Sequence, residues 1–268
     1  SSSGSTGELR FPCCPIDWDD MQSPRVTPVF SGDEIEEAPG FIVDRRQVFV
    51  GLGGLLTAGL PTIPHAATLS FEAFLARANA VAVELITDTS RTGQDRYLRE
   101  LATLSAQLDA VPLPPRFNDT NQGDAPGDYQ IGVNPGGQSF TVLHWRLEPG
   151  ARCRPHAHTY GNVLSIGLEG LVRASNYEVV GEPDYAFGGT FRIRQTIDQL
   201  LGPGDVNLVS LQRNYIHGFV AGPDGARGLD ITTRLKPRPE HGTPFLDIGA
   251  SPVDEFTRTF EASWDYAD

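Results

Sequence analysis

The chain has 268 residues, enough for one large domain or two small ones with a sizeable core. Its formal net charge of -13 argues against nucleic acid and anionic membranes as partners, because both reward a basic surface. The 29 glycines and 21 prolines favour a loop-rich β protein, and three cysteines, of which Cys13 and Cys14 are adjacent, predict no disulfide framework.

An export signal is predicted in the leader, residues 1–66. Arg45 and Arg46 precede an apolar stretch at residues 48–60, and small residues suited to cleavage follow at 64–67. This pattern is typical of a twin-arginine signal and is too short for an ordinary transmembrane helix. We therefore expect a periplasmic or extracellular protein with no stable membrane anchor in its mature form. The alternative is a helix packed on the domain, and Met21 is a candidate true start.

Residues 67–118 are predicted to form helices that pack outside the following domain. Ser70 is placed to cap the first helix, and apolar residues then recur at spacings of three and four. A second amphipathic segment ends before Pro112, because the prolines that follow cannot continue a helix. The apolar positions are Phe71, Phe74, Leu75, Ala78, Ala82 and Leu85, then Leu98, Leu101, Leu104 and Leu108.

From residue 119 onward the sequence changes to short β-type runs separated by turn residues at 148–150, 202–205 and 222–225. Many short antiparallel strands without alternating helices favour a closed barrel or jelly roll over residues 119–239. The C-terminal tail, residues 240–268, is expected to pack on this barrel or on a partner subunit. The predicted strands are residues 139–147, 163–168, 171–180, 191–196, 206–211 and 229–235.

Three histidines are the main candidates for function. His156 and His158 stand one residue apart, so on a strand their side chains point the same way, and His217 could complete a triangle from a neighbouring strand. No Asp or Glu stands nearby as a fourth ligand, which predicts a metal site with open coordination positions. The alternative is a set of satisfied polar residues in a barrel that only binds a ligand.

The segments around these histidines resemble the two motifs of the cupin superfamily. Residues 149–158 match the first motif, with Gly150 six residues before His156. Residues 202–206 leading to 217–219 match the second. Cupins carry a glutamate ligand four or five residues after the second histidine, where this chain has Asn162 and Val163. The resemblance implies a mostly β fold, the double-stranded β-helix (jelly-roll) barrel, with the N-terminal helices packed outside.

Within the cupins, the chain resembles the thiol dioxygenase family of 2-aminoethanethiol dioxygenases and plant cysteine oxidases. The matching pieces are residues 150–158, 163–177, 214–219 and 229–231, in the same order, within about residues 140–236. The chain departs from the family at residues 159–161, which are Thr-Tyr-Gly instead of Pro-Gly-Met. It also has Lys236 in place of a family tyrosine, and Val163 where cysteine dioxygenases often carry a cysteine, so no cysteine–tyrosine crosslink is implied.

The resemblance implies an enzyme that holds Fe(II) through His156, His158 and His217 and oxidises a thiol to a sulfinate with O₂. Candidate substrates are cysteamine, a cysteine-like thiol and a peptide with an N-terminal cysteine. Asp230, which matches a family aspartate, is one candidate catalytic residue, and Tyr160, which stands two residues after His158, is the other. Their alternatives are a strand-end position and a turn position without a role. Other functions stay open: a metal-dependent cupin oxygenase or isomerase acting on a non-thiol substrate, and a non-catalytic exported cupin that binds a ligand.

Three arginines are candidates for binding a substrate carboxylate through paired hydrogen bonds, and the alternative that we favour for each is a solvated charge on the barrel. They are Arg146, Arg154 and Arg173. Cys153, three residues before His156, is expected to be a half-buried thiol on a strand.

Overall fold

The computed structural model describes residues 68–134, 136–137, 139–182, 189–237 and 243–265. The predicted export signal, with Arg45, Arg46, Cys13 and Cys14, lies outside these residues, so its prediction stays untested. In the described ranges, no helix combines the length and apolar character needed to cross a membrane.

Two helices precede the barrel. Helix α1 (Phe71–Thr87) begins at Ser70, whose side-chain oxygen accepts a hydrogen bond from the backbone N–H of Ala73 at 3.2 Å, as the sequence predicted. Helix α2 (Arg91–Ser105) begins at Ser90, which accepts from the Gly93 N–H at 3.2 Å. The buried face of α1 is also the predicted one and consists of Phe74, Ala78, Ala82 and Leu85.

The remaining described residues form an antiparallel sheet that closes into a barrel. The predicted fold class, a mostly β barrel of antiparallel strands with the N-terminal helices outside, is confirmed. Its strands are β1 (Asn118–Asp119), β2 (Tyr129–Asn134), β3 (Phe140–Leu147), β4 (Arg152–Ala157), β5 (Gly161–Val180), β6 (Thr190–Leu201), β7 (Val206–Val209), β8 (Ile216–Arg234), β9 (Phe245–Ile248) and β10 (Thr259–Asp265).

Strands β5 and β8 are long and pair with each other along almost their whole length. The sequence predicted two separate strands, 163–168 and 171–180, but these residues form one bent strand. Gly170 is the reason: its φ of 69° is left-handed, and a Cβ there would lie 2.1 Å from the carbonyl oxygen of Gly225. Such a glycine marks either a turn or a bulge, and here the ladder resumes after a register shift.

Because of the bend, the two halves of each long strand pair with different strands and belong to opposite sides of the barrel. The first half of β5 pairs with β7 and the second half with β6, while β8 pairs with β4 and then with β3. On one side, the outer face of the sheet packs against both helices through Leu164, Ile166, Leu229 and Ile231. This burial, at about 25 cal/mol per Å² of apolar surface, is what holds the helices on the barrel.

The C-terminal residues cover the opposite side. Strand β9 pairs with β4, and β10 pairs with both β9 and β6, so β4, β9, β10, β6, β5 and β8 form a closed ring. A separate apolar cluster fills this ring, in which the Trp264 and Phe191 rings stack with centroids 4.9 Å apart. The described part of the tail is therefore integrated into the sheet next to the strand that carries His156.

Candidate metal centre

The three histidines converge inside the barrel. His156 lies on β4 directly opposite His217 on β8, and the backbone N–H of His158 donates to the carbonyl of Tyr215 at 2.8 Å. All three side chains are buried. The Nε2 atom of His158 lies 3.1 Å from that of His156 and 2.9 Å from that of His217. The strand pairing therefore brings together the three ligands predicted from the sequence.

Contacts of the neighbouring residues fix the chain before His217 and lie against the His156 ring. Asn214, three residues before His217, has a left-handed φ of 56°, which asparagine tolerates better than most residues. Its side-chain oxygen accepts from the hydroxyl of Thr196 at 2.7 Å, and its N–H donates to Glu178 at 3.1 Å. The Phe245 ring of the tail strand lies 6.1 Å from the His156 ring.

The nitrogen separations test whether a metal ion fits. Two nitrogens bound at about 2.1 Å to one ion lie about 3.0 Å apart when at right angles and about 3.4 Å apart in a tetrahedron. The separations of 2.9 and 3.1 Å match right angles at a shared ion for the two pairs that include His158. Protons alone satisfy the trio poorly, because the single hydrogen or lone pair on His158 Nε2 cannot serve both neighbours. The donor set fits a bound cation.

The histidines are also in the protonation state that metal binding requires. Burial lowers the pKa of His156 to about 4 and places those of His158 and His217 well below their ordinary value. The Nδ1 atom of His156 lies 2.9 Å from the carbonyl oxygen of Arg154. A proton on Nδ1 would donate to this oxygen and leave the Nε2 lone pair for a metal, as is usual for ligating histidines.

The positions where cupins carry a glutamate hold no acid here. Val163 is fully buried opposite Thr232, and its neighbours Leu164 and Ile166 pack against the helices, so Val163 faces the interior. Asn162 points the other way and accepts the backbone N–H of Leu211 at 3.2 Å. In the described part of the chain, the metal-ligand cluster is therefore made of neutral imidazoles alone.

Asp230 lies within the barrel but one layer away from the histidines. Its carboxylate accepts a hydrogen bond from Trp145 Nε1 at 3.0 Å, and within the described residues no hydrogen bond joins it to a histidine. The Trp145 ring stacks on Phe219 at 5.4 Å, and Phe219 meets the His217 ring edge-on at 4.9 Å. Burial raises the pKa of Asp230 to about 6, so it is largely a carboxylate at neutral pH.

Tyr160 lies in the turn between β4 and β5, with its ring centroid 6.4 Å from that of His158. Its backbone carbonyl accepts the N–H groups of Leu235 and Lys236, at 2.9 and 3.0 Å, which ties this turn to the end of β8. Of the two residues predicted to be catalytic, Tyr160 is half-buried and lies next to the histidines, whereas Asp230 lies deeper in the barrel.

The three candidate arginines do not enter the barrel. Arg173 forms a bidentate pair with Asp198, with Nε 2.6 Å from Oδ1. Arg154 pairs with Asp265 and lies 3.6 Å from Asp247, both on the tail strands. Arg146 is exposed, pairs with Gln130 and lies over the Phe117 ring. Each is satisfied by neighbours at the surface, so none is placed to bind a carboxylate at the metal.

Cys153 is fully buried rather than half-buried, because its strand lies between the barrel interior and the tail. Its sulfur lies 3.8 Å from His156 Nδ1 and 3.7 Å from Gln122 Oε1. Burial raises the pKa of the Cys153 thiol, so it is a neutral packing group beside the site.

Sequence reasoning missed three residues that shape the site. Asn176 and Asn207, both fully buried, stand next to His217, and Trp145 holds Asp230. Trp145 lies so close to Gly228 that a Cβ on that glycine would come within 2.0 Å of the indole. Two asparagines within strands of high apolar content are the signal that could have found the first pair, since buried amides need partners.

No family model matches this sequence, and no curated protein matches it. The chain is similar to several solved structures, among them KdgF from Halomonas sp., at 16% identity and a TM-score of 0.32, covering 45% of this chain and 89% of that one. The polyketide cyclase RemF from Streptomyces resistomycificus has 20% identity, a TM-score of 0.33 and coverages of 46% and 75%. An RmlC-like cupin from Shewanella frigidimarina has 18% identity and a TM-score of 0.31, and the match covers 44% of this chain and 83% of that one.

Proposed function

We propose that this protein is a non-haem Fe(II) thiol dioxygenase that oxidises an amine-bearing thiol to a sulfinate. The overall reaction, RSH + O₂ → RSO₂H, is balanced without a further reductant. The observation that supports this best is the cluster of three neutral, buried imidazoles without a carboxylate, because such a set keeps the full charge of a divalent ion and leaves positions open.

Fe(II) held by His156, His158 and His217 would supply adjacent positions where a thiolate and O₂ meet. The chain's own contribution is electrostatic and steric. A thiolate compensates the charge that an acidic ligand would otherwise neutralise, and Val163 keeps such a ligand out. Because a bound metal itself lowers the pKa of a thiol, no protein base is required next to the sulfur.

The charges inside the barrel favour an amine over a carboxylate on the substrate. Among the described residues, Asp230 is the one buried acid, and no arginine or lysine is buried. A thiol that carries an ammonium group could pair with Asp230, whereas a substrate carboxylate would meet no buried cationic side chain. This charge arrangement supports cysteamine or a peptide with an N-terminal cysteine, with the half-buried Tyr160 beside His158.

The experiment is oxygen uptake by protein reconstituted anaerobically with Fe(II), measured with cysteamine, an N-terminal-cysteine peptide, cysteine and 3-mercaptopropionate. We expect uptake with the first two thiols, weak uptake with the last, and loss of uptake in His156→Ala. His144→Ala is the matched control, since this histidine is also fully buried but lies outside the ligand cluster. Iron-loaded protein that consumes no oxygen with any thiol would contradict the proposal.

A second candidate is a metal-dependent cupin oxygenase or isomerase acting on a carbonyl, enol or flavonoid substrate. Lys236 favours it, because the resembled thiol dioxygenases carry a tyrosine at this position. Oxygen uptake with an enol or flavonoid but no thiol would support this candidate. Binding of a ligand without any uptake would support a non-catalytic exported cupin.

We also propose that the protein acts outside the cytoplasm, on the strength of the paired arginines and the apolar stretch after them. The first 67 residues fused to a reporter should be exported, and the double change Arg45→Lys, Arg46→Lys should retain the fusion in the cytoplasm. Equal export of both fusions would contradict a twin-arginine signal.

A further inference from the structure

Two asparagines connect His217 to the neighbouring strands. Asn176 on β5 lies opposite His217 in the ladder, and Asn207 on β7 lies within reach of both. The Asn176 Nδ2 donates to Asn207 Oδ1 at 2.8 Å, and Asn207 Nδ2 lies 3.4 Å from His217 Nδ1. All three side chains are fully buried, so in the described residues these polar atoms depend on one another.

The direction of these contacts conflicts with metal binding. A histidine that binds a metal through Nε2 carries its proton on Nδ1, so Nδ1 must face an acceptor. As placed, Asn207 presents its NH₂ group to Nδ1, which suits the opposite tautomer. Meanwhile the Oδ1 atom of Asn176 is buried without a hydrogen-bond partner, which is costly in a protein interior.

Turning both amides by half a rotation removes both problems. The oxygen and nitrogen of an amide have nearly the same shape, so the turn needs no movement of other groups. His217 Nδ1–H then donates to Asn207 Oδ1, and Asn207 Nδ2–H donates to Asn176 Oδ1 across the same 2.8 Å separation. The turn gives up the contact of Asn176 Nδ2 with the Leu208 carbonyl, which is long at 3.4 Å, and moves this NH₂ group to the place where the oxygen had no partner.

We propose that Asn207, itself held by Asn176, is the positioning residue that fixes the tautomer of His217 when metal binds, and that both amides turn on binding. The proposal rests on the metal centre but not on thiol chemistry. It assigns to Asn207 the part that the Arg154 carbonyl has for His156. His158 has no such acceptor among the described residues, since its Nδ1 is buried without a partner.

The test is affinity for Co²⁺, measured by competition with a chromophoric chelator on the full chain, which needs no turnover. Asn207→Leu should weaken binding by about 10–100-fold, the usual cost of losing such a partner. Asn207→Asp should bind at least as tightly as the parent, because a carboxylate accepts from Nδ1–H and from the Asn176 NH₂ as it stands. Rescue by a pure acceptor distinguishes positioning from packing.

Asn134→Leu is the matched control, because Asn134 is a buried strand asparagine whose one recorded partner is the Pro112 carbonyl at 2.6 Å. Equal affinity of Asn207→Leu and this control, or weaker binding in Asn207→Asp than in Asn207→Leu, would overturn the proposal. Should Asn207→Leu not fold, NMR of the parent decides. On Zn²⁺ addition, the Asn207 side-chain NH₂ should lose its contacts with the His217 ring and gain contacts with Asn176.

An unchanged NH₂ position in Zn²⁺-loaded protein would also overturn it. Failure of the proposed function is a separate result. Protein whose variants show the expected order of Co²⁺ affinities but which oxidises no thiol would support the role of Asn207 and reject the dioxygenase. Protein that binds no Co²⁺ at all would overturn both.

Discussion

Acidification should destabilise the metal-free protein through its buried histidines. Burial lowers the pKa of both His156 and His144 to about 4, from an ordinary value of 6.5. Because the fold favours the neutral form, the unfolded chain binds more protons below pH 6.5, and stability falls as the pH decreases. The stabilisation is complete above about pH 6.5 and is lost progressively toward about pH 4.

The size of the effect follows from the shift. A shift of about 2.5 pH units at about 1.4 kcal/mol per unit amounts to about 3.5 kcal/mol for each histidine once the pH is below 4. Between about pH 7 and about pH 5 each contributes about 1.8 kcal/mol. His158 and His217 add to this in the same direction, whereas Asp230, with its raised pKa, opposes it weakly.

The assay is urea unfolding of chelator-treated protein, followed by tryptophan fluorescence at both pH values. His144→Leu removes one buried histidine outside the metal cluster, so its loss of stability on acidification should be about 1.8 kcal/mol smaller than that of the parent. Exposed acids contribute equally to both proteins and cancel. Added Zn²⁺ should reduce the loss further in both, because ligated nitrogens cannot take up protons. An identical loss in parent and variant would refute the reasoning.

Three further predictions concern packing and selectivity. Gly228→Ala places a methyl group against the Trp145 indole, so it should destabilise the protein by about 1–3 kcal/mol and shift its fluorescence; unchanged urea unfolding would contradict the close contact. Phe74→Ala opens a cavity between α1 and the barrel and should cost about 3–5 kcal/mol, whereas a loss under about 1 kcal/mol would mean that the helix is not docked. Asp230→Asn should lower kcat/KM for cysteamine by about 10–100-fold, the value of a charged hydrogen bond, with little change for 3-mercaptopropionate. Equal losses of kcat/KM for both thiols would mean that the Asp230 carboxylate does not select the substrate.

Periodicity and turn residues predicted much of the fold because they report local preferences. Ser70 and the apolar face of α1 are local, and so is the alternation that places His156 and His158 on one face. The division of residues 163–180 into two strands was wrong, since a left-handed glycine can end a strand or bend it, and only the long-range ladder between β5 and β8 decides.

The parts of the site that escaped sequence analysis depend on contacts between distant segments. Asn207 meets His217 only because β7 and β8 both flank β5, and Phe245 reaches His156 only because β9 pairs with β4. Arginine is a residue type that often binds substrate carboxylates, but the acidic partners of Arg154 lie on the tail strands β9 and β10. The spacing of residues along the chain does not predict these pairings between distant strands.

The central claim is that three neutral histidines support the addition of O₂ to a thiol. Its most direct test is mass analysis of the product formed from cysteamine by Fe(II)-loaded protein under isotopically labelled dioxygen. The account predicts a sulfinate that carries both labelled oxygen atoms and is absent with His156→Ala. A disulfide, a product labelled from water, or the same yield with His156→Ala would contradict it.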